Sequence, residues 1–268
     1  MKLVAIVWTP EVVEAAATVL AGASGLALAE ARMRLAPEPP ALLARLQPDR
    51  ADALVAALRK AGLAVLAVPD PVPADGDRVA VRSFSFDEAG ATFTSRSGDE
   101  MRVAWPDVLA VLRGLRASRS EVERTEKSKS FSVGTALATS GLMMTRTSTK
   151  TVRTSEESTE QVILVYSRAG PAALLAERQL DFSCLGSEMS PSSTANMVVL
   201  ARRLRERART AFHDERLLRL GRRPLPFLAR GESRSQDEKT TVRRSDTGGT
   251  VDVLAEVIRQ ALVEGLLP

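Results

Sequence analysis

The pattern of apolar positions divides the chain into three stretches with different periodicities. The first runs from Leu3 to Val68. Leu3 to Trp8 is an apolar run ended by Thr9-Pro10, which predicts a strand followed by a helix start, with Thr9 as N-cap and Pro10 at the first helical position. Val12, Ala15, Ala16, Val19 and Leu20 then recur at helical spacing, and Gly22 closes the turn. A second helix follows Ser24-Gly25, with Leu26, Ala29 and Met33 on its apolar side, until Pro37, Pro39 and Pro40 forbid its continuation. Ala41 to Leu46 reads as a short strand. Pro48-Asp49 opens a helix carrying Ala51, Leu54, Val55 and Leu58, Gly62 ends it, and Leu63 to Val68 is the third strand. The predicted order is β-α-α-β-α-β.

Pro69 to Asp77 holds three prolines and three aspartates, so a linker over 71–77 separates a first domain, 1–70, from a second, 78–215. Val79 to Phe86 alternates with period two, and Ala91 to Ser95 and Met101 to Trp105 follow as shorter strands. Trp105-Pro-Asp-Val108 then starts a helical turn through Leu112. Gln161 to Ser167 and Ala173 to Ala176 are strands, and a helix from Ser193 to about Arg209 takes Thr194 as N-cap and puts Met197, Val198, Leu200, Ala201 and Leu204 on its apolar stripe. The fold class is α+β.

The third kind of pattern is weak or absent. In 118–160, 18 of 43 residues are Ser or Thr, which fits an insert forming a long hairpin that turns near Ser140-Gly141, or a loop. Its apolar patch, Val133 to Met144, is flanked by Lys127, Lys129, Arg146 and Lys150. Residues 216–250, most clearly Gly231 to Gly249, are polar enough to predict disorder. A helix over 251–266 carries Val251, Leu254, Ile258 and Leu262 on one stripe, too short to stand alone, and must dock on this chain or on a partner.

Gly22-Ala-Ser-Gly25-Leu26-Ala-Leu28-Ala-Glu-Ala-Arg32 resembles the glycine turn and second helix of the C-terminal domain of the bacterial ribosomal stalk protein. The match continues through Pro39, Ala53-Leu54, Ala57-Leu58 and Ala61-Gly62. The resemblance covers residues 1–68 and implies the fold. It also implies a docking face on the first two helices, built on Gly22, Gly25, Leu26 and Leu28 with Arg32 beside them. The family recruits translation factors there with several basic residues. Here Thr18, Ala21 and Ala29 stand at the matching positions and Arg32 alone is charged, so the resemblance implies a helix-pair surface without that recruitment. Tight turning between two helices would account for Gly22 and Gly25 equally well. Residues 78–210 resemble, through Trp105 to Val108 and the element order, a bacterial pleckstrin-homology-like barrel, in which the helix from Ser193 would plug one open end.

Composition narrows the chemistry. One cysteine, Cys184, excludes an internal disulfide, and one histidine, His213, leaves too few ligands for structural zinc, so no metal or cofactor is expected. The apolar run after Lys2 is too short for a secretion signal, which points to a cytoplasmic protein. The basic excess lies in the second half. Arg124 to Arg153 hold six basic residues against Glu126, and Arg202 to Arg223 hold nine arginines against three acids. Such runs suit an anionic membrane or nucleic acid, or simply a solvated helix face.

Catalysis needs an activated group. His213 beside Asp214 is the nearest candidate, but its place after an arginine-rich helix reads as a C-terminal capping or surface group. Cys184 lies between apolar neighbours and reads as buried. Gly134 to Gly141 lacks the Gly-Lys-Ser/Thr of a phosphate loop. The expected function is therefore a non-enzymatic interaction or scaffold protein that binds another protein or itself. The alternative is a peripheral binder of anionic membrane or nucleic acid through the basic insert and the Arg202–Arg223 stretch.

Overall fold

In a computed structural model of the chain, which describes residues 1–9, 12–72, 77–131, 145–227, 233–237, 240–246 and 248–267, the first strand, β1 (Lys2–Ile6), is apolar at consecutive positions because both of its faces are covered. It is the centre of an antiparallel sheet of order β2-β1-β3, with β2 at Ala41–Leu46 and β3 at Val65–Pro69. Val4 and Ile6 point to one side. There they pack with Leu43, Val65 and the buried faces of three helices, α1 (Val13–Ser24), α2 (Leu28–Leu35) and α3 (Pro48–Lys60). The β-α-α-β-α-β order is the one the sequence predicts. Pro48 opens α3, as expected, while Pro10 lies outside the described residues.

Local corrections follow from the backbone. Gly25, not Gly22, ends α1: its φ is 72°, and its N–H donates to the carbonyl of Ala21 at 2.9 Å. Gly22 sits inside the helix. The buried side of α2 is Ala31 and Leu35, one turn apart, rather than Ala29 and Met33. Alanine is apolar enough to suggest either face, and the partner helix chooses between them.

Leu3, Ala5 and Val7 point to the other side of β1. With Leu42, Leu66 and Val68 they form one core with α6 (Gly248–Val263) and with the sheet of the second stretch. Residues 1–70 therefore do not form a separate domain. The alternating face that would be solvated in a lone α/β unit is here an internal surface.

The second sheet starts with an antiparallel meander, β4 (Val79–Phe86), β5 (Gly90–Ser95) and β6 (Glu100–Ala104). Trp105–Asp107 is one 3-10 turn, and the chain then extends as β7 (Val108–Phe131) instead of continuing helically to Leu112. Val111 alternates with Ala110 and Leu112, so the two faces of this strand serve two cores at once. Next come β8 (Thr145–Ser167), β9 (Ala173–Ala176), a 3-10 segment at Ser183–Glu188, and α4 (Ser193–Arg207). They are followed by β10 (Phe212–Asp214) and α5 (Leu217–Leu220). Ser192 caps α4, accepting from Ala195 N at 3.3 Å, whereas the expected cap, Thr194, donates to Glu177 at 2.7 Å.

The hydrogen-bonded strand order is β11-β12-β7-β8-β9-β4-β5-β6, with β10 also on β7. It is mixed, since β9–β4 and β10–β7 are parallel. The sheet is open and does not close into a barrel. Strand β7 meets β8 on one edge and β10, then β12, on the other, which leaves no edge there for β6. With no barrel mouth to plug, α4 lies on one sheet face, burying Met197, Leu200 and Leu204 against Ile163, Val165 and Leu175. The opposite parity of β8, Val162, Leu164 and Tyr166, faces α6.

Helix α6 thus lies between two sheets. Val251, Val253, Leu254, Ala255, Val257, Ile258 and Ala261 are each at most 2% exposed, so the helix is buried around most of its circumference, wider than the single expected stripe, with Asp252, Glu256 and Arg259 as its polar side. It docks within the chain. These elements, 1–116, 159–228 and 247–268, form one compact unit.

Residues 117–158 and 229–246 form a second unit, described by itself. It contains the far parts of β7 and β8, strands of 24 and 23 residues where about 5–6 is usual, together with β11 (Ser233–Asp237) and β12 (Thr240–Asp246). Within the stretch predicted to be disordered, 233–237 and 240–246 are therefore paired in strands. Thr240 to Asp246 run antiparallel to Arg124 to Ser118, a long strand edge that supplies their backbone partners. The apolar patch Val133 to Met144, the expected turn at Ser140-Gly141 and the Gly134–Gly141 loop lie outside the described residues.

Candidate docking surface

Residues 15–29, from the middle of α1 into α2, contain no charged side chain. A solvated helix pair normally carries charges on its outer face. Six of the nine large apolar side chains exposed among the described residues fall within the first 33: Met1, Trp8, Val12, Val13, Leu28 and Met33. The exposed apolar surface is thus concentrated on this part of the molecule.

Gly22, Gly25, Leu26, Leu28 and Arg32 all lie on the α1–α2 hairpin. Gly25 is required by its left-handed conformation. Gly22 is not: it is exposed, helical, and a methyl group built there meets nothing within 4 Å. A glycine inside a helix costs about 0.5–1 kcal/mol relative to alanine, and nothing in this fold requires it. Leu28 is exposed and Leu26 half-buried. Arg32 grips Glu14 through Nε at 2.9 Å and through Nη2, and this hydrogen-bonded pairing lowers the Glu14 pKa and raises that of Arg32. Its charge is therefore committed to α1. Met33, Val12 and Val13 are the surface residues that sequence reasoning missed; Met33 in particular is 68% exposed.

The chain also forms an open cleft of about 660 Å³, lined by Trp8 and by residues of the segment Phe212–Arg219, which spans β10 and most of α5. Parallel pairing with Ala110–Leu112 fixes β10. His213 Nε2 donates to the carbonyl of Ala208, the C-cap of α4, at 2.9 Å, so the capping role read from the sequence is its local role. Asp214 is buried and holds Arg216 through the backbone N–H and Nε, both at 2.7 Å. Arg219 forks onto Glu38, and that hydrogen bond, with Arg216 and Arg223 nearby, holds the Glu38 carboxyl below its usual pKa.

The arginines of 202–223 are mostly engaged inside the protein. Arg202 and Arg203 share Glu188, and Arg203 also donates to the carbonyls of Cys184 and Leu185 at 3.1 and 2.8 Å. Arg205 pairs with Glu215, Arg207 reaches Asp87 O, Arg209 reaches Glu206 O, and Arg223 reaches Glu38 O and Pro40 O. With Arg216 and Arg219, eight of the nine have a carboxylate or carbonyl partner among the described residues, and Arg222 has none there. The stretch that looked like an anion-binding face thus fastens helices and loops together.

A buried polar network crosses the α6 core. Arg78 and Arg116 both reach Oδ1 of Asp252, and Glu256 binds Arg259 at 2.8 and 2.6 Å. Tyr166 lies among these charges. Its hydroxyl has no hydrogen-bond partner among the described residues, and burial, first among the influences, pushes its pKa up to about 12. Among the described residues no group of three or more His, Cys, Asp or Glu is placed to hold a metal ion, and Cys184 is half-buried. No single helix among them is long and apolar enough to cross a membrane; α1 and α2 reach that composition only together, across a 119° bend.

No family model, curated protein or solved structure matches the chain.

Proposed function

We propose that the chain is a non-enzymatic, cytoplasmic interaction protein that receives a protein partner on the outer face of α1 and α2. The observation that carries this reading is the uncharged, exposed surface around Gly22, Leu28 and Met33. Solvation alone would favour Lys or Glu at such positions. A helix interior would favour Ala over Gly. Small residues on α1 let a partner backbone approach closely, and Leu28 and Met33 supply apolar contact area, the combination that suits an uncharged apolar helix on the partner. The β-α-α-β-α-β order supports the likeness to the stalk-type domain, with packing contact replacing the missing basic groups. The single cysteine suits a reducing compartment.

The test is site-specific photo-crosslinking in the native host from a reactive residue at Ala29, compared with the same probe at Glu100 in β6. Crosslinks to one or a few defined proteins from Ala29 alone, removed by Gly22→Arg and by Met33→Glu, are expected. Equal crosslinking from both positions, or products that survive both substitutions, would refute the assignment.

A further inference from the structure

The cleft beside Trp8 uses residues that the docking face does not. Aromatic residues make up only 4% of this chain and histidine occurs once, yet Trp8, Phe212 and His213 meet here from opposite ends of the sequence. Trp8 leaves 58% of its surface to solvent, whereas the other tryptophan, Trp105, is buried and donates its Nε1–H to Asp87 O at 3.0 Å. An indole held open at the wall of a cleft forgoes the burial that usually makes tryptophan favourable.

The polar groups of the cleft divide by sign. Its carboxylates are occupied: Asp214 by Arg216, Glu215 by Arg205 at 3.3 Å. Arg216 is occupied as well, with Nε on Asp214 and Nη1 on Pro39 O. What remains is two donors and one acceptor. Arg219 commits Nε and Nη2 to Glu38, and its Nη1 has no acceptor among the described residues. Trp8 Nε1–H has no acceptor among the described residues. His213 spends its Nε2–H on Ala208 O, so Nδ1 of the neutral ring is an acceptor. A volume of about 660 Å³ lies inside the usual range, about 300–1,000 Å³, for small-ligand pockets.

We propose that this cleft binds a flat aromatic ring bearing an anionic group, the ring against Trp8 and the anion on Arg219. Stacking supplies contact area and the unspent guanidinium edge selects the charge. The proposal does not rest on the α1–α2 reading. Such a ligand can be a free small molecule or an aromatic side chain flanked by acids in a peptide.

The chain's two tryptophans give two indole N–H signals in a nitrogen–proton correlation spectrum, and Trp8→Phe assigns them. Titration with 2-naphthoate is expected to shift the Trp8 signal saturably and leave Trp105 unmoved. 2-Naphthylmethylammonium, with the same ring and opposite charge, and cyclohexanecarboxylate, with the charge but no flat ring, are expected to bind about tenfold or more weaker. Arg219→Gln is expected to weaken 2-naphthoate about tenfold and, because it removes a cation and frees the Glu38 carboxylate, to leave the ammonium compound no weaker than before, with calorimetry as the readout and the melting curve as a check of folding. Trp8→Ala, which keeps the Arg219–Glu38 pair, is expected to abolish binding by calorimetry. A capped Glu-Trp-Glu peptide binding more tightly than 2-naphthoate would identify a peptide source, and weaker binding a free one. No shift of Trp8 at millimolar 2-naphthoate, equal binding of the ammonium compound, or affinity unchanged by Arg219→Gln or Trp8→Ala would overturn the proposal.

Discussion

Two helices rich in Ala, Val and Leu are used in opposite ways. Helix α1 has no charge from Ala15 to its end, yet its outer face meets solvent; α6 carries Asp252, Glu256 and Arg259, yet is nearly enclosed. Composition alone would rank their burial the wrong way round. The difference lies in what surrounds each. Helix α1 has a sheet and two helices on one side only, whereas α6 fills the space between two sheets and has Arg78 and Arg116 waiting for Asp252. Charge on a helix is therefore compatible with burial when partners are built in, and lack of charge does not imply it.

The contrast can be broken at several points. Leu254→Ala in α6 is expected to cost about 2–5 kcal/mol, because a cavity would open between two sheets that cannot both collapse, as read by urea denaturation. An effect below about 1 kcal/mol would mean that α6 is not the common core. Asp252→Ala is expected to cost about 3 kcal/mol, since it removes the carboxylate shared by two largely buried arginines. On the α1 side the sign is expected to reverse. Gly22→Ala should stabilise the fold by about 0.5–1 kcal/mol, while Gly25→Ala should destabilise it by about 1 kcal/mol because of the left-handed backbone there. A loss of stability in Gly22→Ala would show that the position has a structural duty.

The smallest expected effect is a titration. The Glu38 pKa is lowered in the folded state by Arg219, so its contribution is present above the ordinary carboxylate pKa and lost as pH falls through the depressed folded value. In Arg219→Gln the Glu38 carboxyl carbon should titrate closer to the ordinary range by NMR. An unchanged midpoint would show that the ion pair does not persist in solution.

Legibility followed sequence distance. Strand β2 and helix α3 were readable almost to the residue, because Pro40, Pro48 and Gly62 punctuate them and their neighbours in space are neighbours in sequence. The role of α6 was not readable, since its enclosure depends on Leu3, Leu66 and Leu164, which lie far away along the chain. Met33 was placed on the wrong side because alanines mark no face. Of the candidate surface, Gly25, Leu28 and Arg32 were visible through local pattern. The Trp8 cleft was not, as nothing local to Trp8 indicates that β10 will come to lie across from it.

The position of α6 in chain order has a further consequence for synthesis. Both sheets are translated before the helix that separates them, so the inner surfaces at Leu3, Leu66 and Val162 stay uncovered until the ribosome has passed Val263. A product released early would display those surfaces permanently, and a chaperone or protease that recognises bare aliphatic sheet would sort unfinished copies from finished ones.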